Sequence, residues 1–217
     1  MKQIAAKSLQ DILSPSVFFF VAKIALLSLA STLILSWLLW DLLFEMITLY
    51  AGWIPWEWLS ALVTSLASLL IAYTLFILMV SLFTALMSEK LLITLAKKHY
   101  SDTPITGSAD IMTSLFVTVK SSAVFLVLFI LLLPLIFIPF IGQIVMLYLW
   151  SILLKDPTVY DVGALFITDK NKLRVVSKKA TLIAMTGSLF NYIPILNLFA
   201  PVFAQILFLH HLLKSKK

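Results

Sequence analysis

Hydrophobic residues are grouped along this chain in long blocks, and charged residues occur almost only between them. Four blocks carry no charged side chain: residues 24–40, 58–88, 121–154 and 180–209. Apolar runs of roughly 18 residues or more are typical of membrane-spanning helices, because a helix satisfies its own backbone hydrogen bonds in lipid. The pattern therefore predicts an all-α integral membrane protein.

The first two blocks predict two long transmembrane helices, over residues 15–44 and 58–88. Residues 1–14 precede them and contain no apolar core of their own. Their apolar side chains fall near one helical face, with basic side chains nearby: Ile4, Leu9, Ile12 and Leu13, with Lys2 and Lys7. We predict that this segment is an amphipathic helix lying at the membrane interface.

Prolines interrupt the third and fourth blocks. The third breaks at LPLIFIPFIG (133–142) and the fourth at NYIPILNLFAP (191–201), and the prolines at the breaks are Pro134, Pro139, Pro194 and Pro201. Proline disrupts a helix interior but is tolerated in a first turn, so Pro139 and Pro201 are predicted to open return helices.

Each arm beside a break is about 16–20 Å long at a rise of about 1.5 Å per residue, whereas the hydrocarbon core is about 30 Å thick. We therefore predict two re-entrant, hemi-spanning hairpins, over residues 110–154 and 173–213. A first arm that starts at Asp110 and lets Lys120 reach the headgroups would be long enough to cross, so a fully spanning first hairpin is the alternative.

Polar side chains accompany both breaks. Four side-chain amides lie at or just after the predicted tips: Gln143, Asn191, Asn197 and Gln205. Such groups satisfy backbone atoms freed at a break, which are tolerated in a membrane only where protein or water covers them. The same amides would serve as neutral donors along a substrate path, and we take these four residues as the candidate site.

Composition agrees with a single membrane domain over residues 1–217. Hydrophobic residues make up 62% of the chain and charged residues 12%, and the mean hydropathy is +1.08. A soluble domain is about 45–50% apolar. No polar segment is long enough for a separate soluble domain of ordinary size.

Basic residues are distributed very unevenly. None lies between Lys23 and Lys90, and that interval holds Asp41, Glu45 and Glu57 among aromatic residues. The positive-inside rule places residues 41–58 outside and both termini in the cytoplasm. The basic segments 170–179 and 214–217 predict contact with anionic lipids at the cytoplasmic face.

Catalytic chemistry is not evident. The chain has no cysteine, no phosphate-loop or dinucleotide glycine pattern, and no aromatic residues interleaved with its basic runs. We interpret the three histidines as solvated interfacial residues: His99, His210 and His211. Lys23 is interpreted as a cation on the first long helix whose side chain snorkels to the headgroups, and a buried charge within the membrane is the alternative. We predict no enzyme activity, no cofactor, no metal and no nucleic-acid partner.

Three short motifs in this arrangement carry a resemblance. They are IPFIG (138–142), KDPTVYD (155–161) and IPILNLFAP (193–201). Together with two spanning helices and two broken hairpins, they resemble the CysZ-type sulfate permease family, which is related to the eukaryotic etoposide-induced proteins. The resemblance covers nearly the whole chain. It implies a multi-pass protein of the bacterial inner membrane that forms homo-oligomers and transports sulfate.

One family element departs from the pattern. Family members carry an arginine-bearing PGLRR-like segment before the first long helix, thought to bind sulfate on the cytoplasmic side. Here SPSVFFF (14–20) keeps Pro15 and has phenylalanines where the arginines would be, and Arg174 is the one arginine of the chain. Bidentate recognition by paired arginines is excluded at that position.

Two functions follow from these observations. The first is a permease or channel for a small inorganic anion, with sulfate indicated by the resemblance. The second is a membrane scaffold, assembly factor or lipid-organising protein that transports nothing. A continuous polar path from the hairpin tips to both membrane faces would favour the first, and its absence the second.

Overall fold

Helices account for the regular structure throughout the part of the chain that the computed structural model describes, residues 2–136, 138–193 and 195–214. In those ranges there is no strand, and the all-α prediction is confirmed. The α-helices are α1 (Lys2–Ile12), α2 (Pro15–Leu38), α3 (Trp40–Ala51), α4 (Glu57–Met87), α5 (Glu89–His99), α6 (Ile111–Ile136), α7 (Ile141–Phe166), α8 (Lys170–Ser188) and α9 (Ala200–Lys214).

Four helical segments are long and apolar enough to cross a membrane. They are α2, α4, α6 and a segment that joins a short 3-10 helix to α9, Leu196–Lys214. The exposed large apolar side chains of α2, α4 and α6 have the composition of a lipid-facing surface, whereas the segment with α9 is mostly buried within the protein. The chain is thus a multi-pass membrane protein by the length and composition of its helices.

The segment predicted as one helix over 15–44 is divided. Helix α2 ends at Leu38, and α3 follows after a single residue, Leu39, whose backbone leaves the helical conformation at φ −100° and ψ 8°. Helix α3 then packs beside α4 and buries Ile47 and Ala51. The division follows from this packing, since no proline or glycine lies at the bend.

Helices α6 and α7 form an antiparallel pair. The Ser114 hydroxyl, near the start of α6, donates to the Asp161 carboxylate near the end of α7 at 2.6 Å. Asp110 caps α6 by accepting from the Thr113 backbone and hydroxyl at 2.8 and 2.7 Å. Helix α7 continues to Phe166, past the predicted end of its arm at residue 154.

Helices α8 and α9 form the second pair, and the backbone of the basic segment 170–179 is the first half of α8. Near the tip of this pair, a Cβ placed on Gly187 would lie 2.8 Å from the Cβ of Ala204. Glycine therefore permits the two helices to approach closely here. Two 3-10 helices, Leu189–Tyr192 and Leu196–Phe199, occupy the break between α8 and α9.

The protein core surrounds α9, of which nearly every residue is buried. Helices α1, α5, α7 and α8 all contact it. Helix α1 is therefore attached to the C-terminal helix as well as preceding α2, and it buries Ser8 and Asp11. This arrangement brings the start of α1 to the end of α9, where the Lys214 ammonium donates to the Gln3 side-chain oxygen at 2.8 Å.

Candidate functional site

The tips of the two helical pairs meet. The Tyr192 hydroxyl, in the second break, donates to the backbone carbonyl of Gln143, which follows the first break. The Tyr192 ring also makes an edge-to-face contact with Trp150 of α7, with ring centroids 5.1 Å apart. The two proline-containing breaks thus lie side by side at one end of the molecule.

Both breaks hold a bulky residue with positive φ. Phe140 has φ 66° and ψ −47°, and Ile195 has φ 72° and ψ −44°. The Ile141 amide donates to the Pro139 carbonyl at 2.8 Å across Phe140, which closes a γ-turn of the rare, strained type. Positive φ is unfavourable for residues other than glycine, so each break stores backbone strain.

A cavity of about 690 Å³ opens beside the second break and is called the tip cavity here. Its lining is mostly apolar, and both α4 and the second break contribute polar groups to it: Leu66, Leu69, Leu70, Tyr73, Asn191, Tyr192, Ile195 and Asn197. The buried Asn197 amide donates to the Tyr73 hydroxyl of α4 at 2.8 Å. None of these lining residues carries a charge, so the tip cavity offers amide and hydroxyl groups to a ligand.

The predicted site residues separate into two places. Asn191 and Asn197 line the tip cavity. Gln143 is exposed and does not line it, but its backbone carbonyl accepts a hydrogen bond from Tyr192, which does. Gln205, by contrast, is buried farther along α9, away from the tips.

The break prolines and Lys23 are placed as follows. Pro134 was predicted at the first break, but it lies within α6, which continues to Ile136. Pro139 lies in the first break and Pro201 in the first turn of α9, while Pro194 lies outside the described residues. Lys23 is exposed on α2.

Gln205 belongs to a second polar group, the Asp161 cluster, formed by Asp161, Ser114 and Gln205. Ser114 donates to one carboxylate oxygen at 2.6 Å and the Gln205 amide donates to the other at 3.1 Å. Asp161 follows Lys155 and Asp156 on α7, outside the four candidate spans. Burial raises the pKa of Asp161 to about 7, although both hydrogen bonds lower it.

Further buried oxygens lie beside the Asp161 cluster or one helical turn from it. Ser88 lines a cavity of about 20 Å³ together with Ser114 and Asp161, which is room for one water molecule. Thr84 and Thr118 lie one helical turn from Ser88 and Ser114. Within the described ranges, the hydroxyls of Thr84, Ser88 and Thr118 and the Gln205 carbonyl oxygen are buried without a hydrogen-bond partner, which favours a hydrated site.

An apolar layer lies between the tip cavity and the Asp161 cluster. On α4, Ile77 and Leu78 come between Tyr73 and Thr84, and on α7, Leu149 and Leu153 come between the tip and Asp161. These side chains pack together with Phe125 of α6. Across the described part of the chain, the two polar groups are therefore separated by packed hydrocarbon.

A third polar group, the Asp11–His cluster, joins Asp11 of α1, His99 of α5 and His210 of α9. His99 Nε2 lies 2.8 Å from one oxygen of the Asp11 carboxylate and His210 Nε2 lies 2.9 Å from the other. Tyr100 Oη lies 3.0 Å from His210 Nδ1. His210 is fully buried, so its interpretation as a solvated interfacial residue is wrong.

The Asp11 carboxylate is stabilised in its charged form. Burial alone would raise its pKa, but the hydrogen bonds from His99 and His210 and the charges of these residues outweigh burial and lower the pKa. Burial, followed by the Asp11 charge, raises the pKa of Tyr100. No spacing in the sequence indicated this cluster, because its three members lie on segments far apart in the chain.

A known protein family matches nearly the whole of this chain. The model of the family described as sulfate transporter CysZ/etoposide-induced protein 2.4 matches residues 4–201. The chain belongs to this family. Searches of curated proteins and of solved structures gave no match. The match covers all four proline positions of the breaks, and it is consistent with a transport protein rather than an enzyme.

Proposed function

We propose that this member of the CysZ/etoposide-induced family is a permease or channel for a small inorganic anion, with sulfate as the substrate that the family indicates. The observation that carries the proposal is the contact between the tips of the two broken helical pairs, beside a cavity that carries amide and hydroxyl groups. Broken helices that meet inside a membrane are a recurrent way of building a transport site.

Anion binding at the tips would rest on helix ends and neutral donors. Helices α7 and α9 both begin at the breaks, and the N-terminal end of a helix carries a partial positive charge and free backbone N–H groups. Asn191 and Asn197 add amide donors. This mode of binding needs no arginine, which fits the phenylalanines at positions 18–20.

The lengths of the pairs support re-entrant hairpins. From Lys120 to the end of α6 at Ile136 the rise is about 24 Å, and from the start of α7 to Lys155 it is about 21 Å. Lys120 and Asp156 line one cavity, so the charged residues of both helices lie at a common level. A hairpin of this depth ends short of the far side of a core about 30 Å thick.

The charge distribution sets the orientation that we propose. The basic ends of α5 and α9 and the basic segment of α8 lie in the cytoplasm, with both termini, and α3 lies outside. In this orientation α1 is an interfacial amphipathic helix whose polar side meets anionic headgroups. The membrane is the bacterial inner membrane, and the transporting unit is a homo-oligomer, as the family resemblance implies.

The packed layer at Ile77, Leu78, Leu149 and Leu153 defines a closed conformation. Transport would require this layer to part, so that an anion at the tip cavity reaches the buried polar groups around Asp161. Alternating exposure of a fixed site is the usual mechanism of such folds.

Uptake of labelled sulfate into proteoliposomes tests the proposal. We expect uptake above protein-free vesicles, abolished by Asn197→Leu, which removes the buried amide of the tip cavity. Asn171→Leu makes the same substitution in the first turn of α8, at the end of the pair opposite the tips, and should transport normally. No uptake of sulfate or of other small anions by correctly inserted protein would overturn the proposal.

The apolar layer also favours a second function, a membrane scaffold or assembly protein that transports nothing. Such a protein needs only packed helices, a basic cytoplasmic face and covered breaks. Failure of uptake together with normal folding and insertion would select this function.

A further inference from the structure

We propose that Asp11, His99 and His210 bind a divalent transition-metal ion, for which Zn²⁺ fits best. One oxygen of Asp11 and one ring nitrogen from each histidine all lie within 4.8 Å of one another. In the part of the chain that is described, this is the one group of at least three histidines and acids with such proximity. The site is independent of the proposed permease function.

The ligand set suits zinc chemically. Two imidazole nitrogens and one carboxylate form a common three-ligand zinc site that leaves a fourth position for water. Imidazole ligands disfavour Mg²⁺ and Ca²⁺, which prefer sites made of oxygen atoms. The ligand atoms now contact one another directly at 2.8 and 2.9 Å, so a small outward movement of the side chains would admit an ion with bonds of about 2.0–2.1 Å.

Tyr100 provides the outer hydrogen bond that such a site needs. While neutral His210 donates from Nε2 to Asp11, its Nδ1 accepts a hydrogen bond from the Tyr100 hydroxyl, 3.0 Å away. When Nε2 instead binds a metal, Nδ1 carries the proton and donates to the same hydroxyl oxygen. Tyr100 can therefore hold the ring in either state, as outer partners of metal-bound histidines commonly do.

A metal ion could reach the cluster through a cavity, and the lysine that now pairs with Asp11 can move away. His99 and His210 line a cavity of about 260 Å³ with Gln3, Ile4, Lys7, Tyr100 and Lys214. Lys98 lies 3.4 Å from an Asp11 oxygen, but its side chain is 57% exposed and can turn into solvent when a cation arrives. The Lys7 ammonium already rests over the Tyr100 ring, 4.7 Å from its centroid.

Metal binding would connect three distant parts of the chain. Asp11 lies on the N-terminal helix, His99 at the end of α5 and His210 on the central helix α9. An ion held by all three would fix α1 against α9 and so fix the approach of the chain to α2. We expect bound zinc to stabilise the folded protein, because a site assembled from distant segments exists only in the folded state.

Zinc binding to the purified full chain tests the proposal directly. The protein, free of any histidine tag, is treated with a chelator, reconstituted in zwitterionic lipid and titrated with Zn²⁺ against a competing indicator. We expect one tight site per chain. His99→Gln removes the least buried ligand and should weaken binding at least tenfold, whereas His211→Gln changes the adjacent histidine outside the cluster and should leave the affinity unchanged.

Equal affinity in the wild type and both variants would overturn the proposal, as would the lack of a stoichiometric site. Co²⁺ bound to the unmutated chain gives a readout that does not depend on variant folding. Intense visible bands, typical of four- or five-coordinate cobalt and displaced by Zn²⁺, support the site. The weak spectrum of six-coordinate, hydrated cobalt contradicts it.

Discussion

The buried carboxyl group of Asp161 should make the stability of this protein depend on pH. Its pKa is raised from 3.8 to about 7, so between these values the folded chain retains a proton that the unfolded chain releases. Stability is therefore greatest below the unfolded pKa, falls as the pH rises towards 7 and levels off above it. At about 1.4 kcal/mol per unit, the full effect is about 4 kcal/mol, of which about 2.5 kcal/mol is lost between pH 5 and 8.

Asp161→Asn removes this titration and keeps the shape of the side chain. The new amide oxygen accepts from Ser114, and the new NH₂ group donates to the Gln205 carbonyl oxygen, now unpartnered, once the Gln205 amide rotates. The quantity to compare is the free energy of unfolding of the variant minus that of the wild type. We expect this difference to increase by about 2.5 kcal/mol from pH 5 to pH 8, because only the wild type loses stability through Asp161. Denaturant unfolding in micelles, followed by tryptophan fluorescence, measures this difference.

The matched control is Asp156→Asn, which changes an exposed carboxylate on the same helix and should show the pH dependence of the wild type. Glu89, which lines the small cavity beside Asp161, is present in all three proteins and cancels in the comparison. A difference between Asp161→Asn and wild type that stays constant within about 0.5 kcal/mol from pH 5 to 8 would refute the raised pKa.

Three further predictions concern the tips and the helix pairs. In this cysteine-free chain, an impermeant maleimide added outside should label Trp53→Cys but not Phe140→Cys; labelling of both would show that the first hairpin spans the membrane. Gly187→Val should lower the free energy of unfolding by about 1–3 kcal/mol, because its side chain meets Ala204, and a loss below about 0.5 kcal/mol would contradict the close packing. Tyr73→Phe removes the acceptor of the Asn197 amide and should cost about 1 kcal/mol in the same assay, whereas an unchanged stability would show that the hydrogen bond contributes nothing.

The sequence predicted those features that depend on local chemistry. Uncharged blocks indicated the long helices, and prolines indicated breaks over residues 133–142 and 191–201. The first break begins later than predicted, because α6 continues through Pro134 to Ile136. Asp110, considered as an alternative start of the first arm, does cap α6 through Thr113. Each of these features is decided by residues within a few positions of one another.

Contacts between distant segments could not be predicted in the same way. Asp11 and His210 are 199 residues apart, and nothing in a helical period indicates that α1 packs against α9. The sequence groups Gln205 with the tips because it follows Pro201, yet the face of α9 that carries it turns towards Asp161. Which partner a buried amide finds depends on how the helices pack, and that is a property of the whole fold.

The exposed side chains at the tips bear on whether the hairpins cross. Phe140 and Ile195 are 86% and 73% exposed, and both have a positive φ that glycine would adopt without strain. Ile138 and Ile193 beside them are also exposed. If the hairpins crossed the membrane, these large apolar groups would face water, and polar or glycine-containing turns would be more stable there. Tips that end in hydrocarbon would instead give each of these side chains an apolar surrounding. The re-entrant arrangement that we propose would therefore account for the strained, bulky residues in both turns.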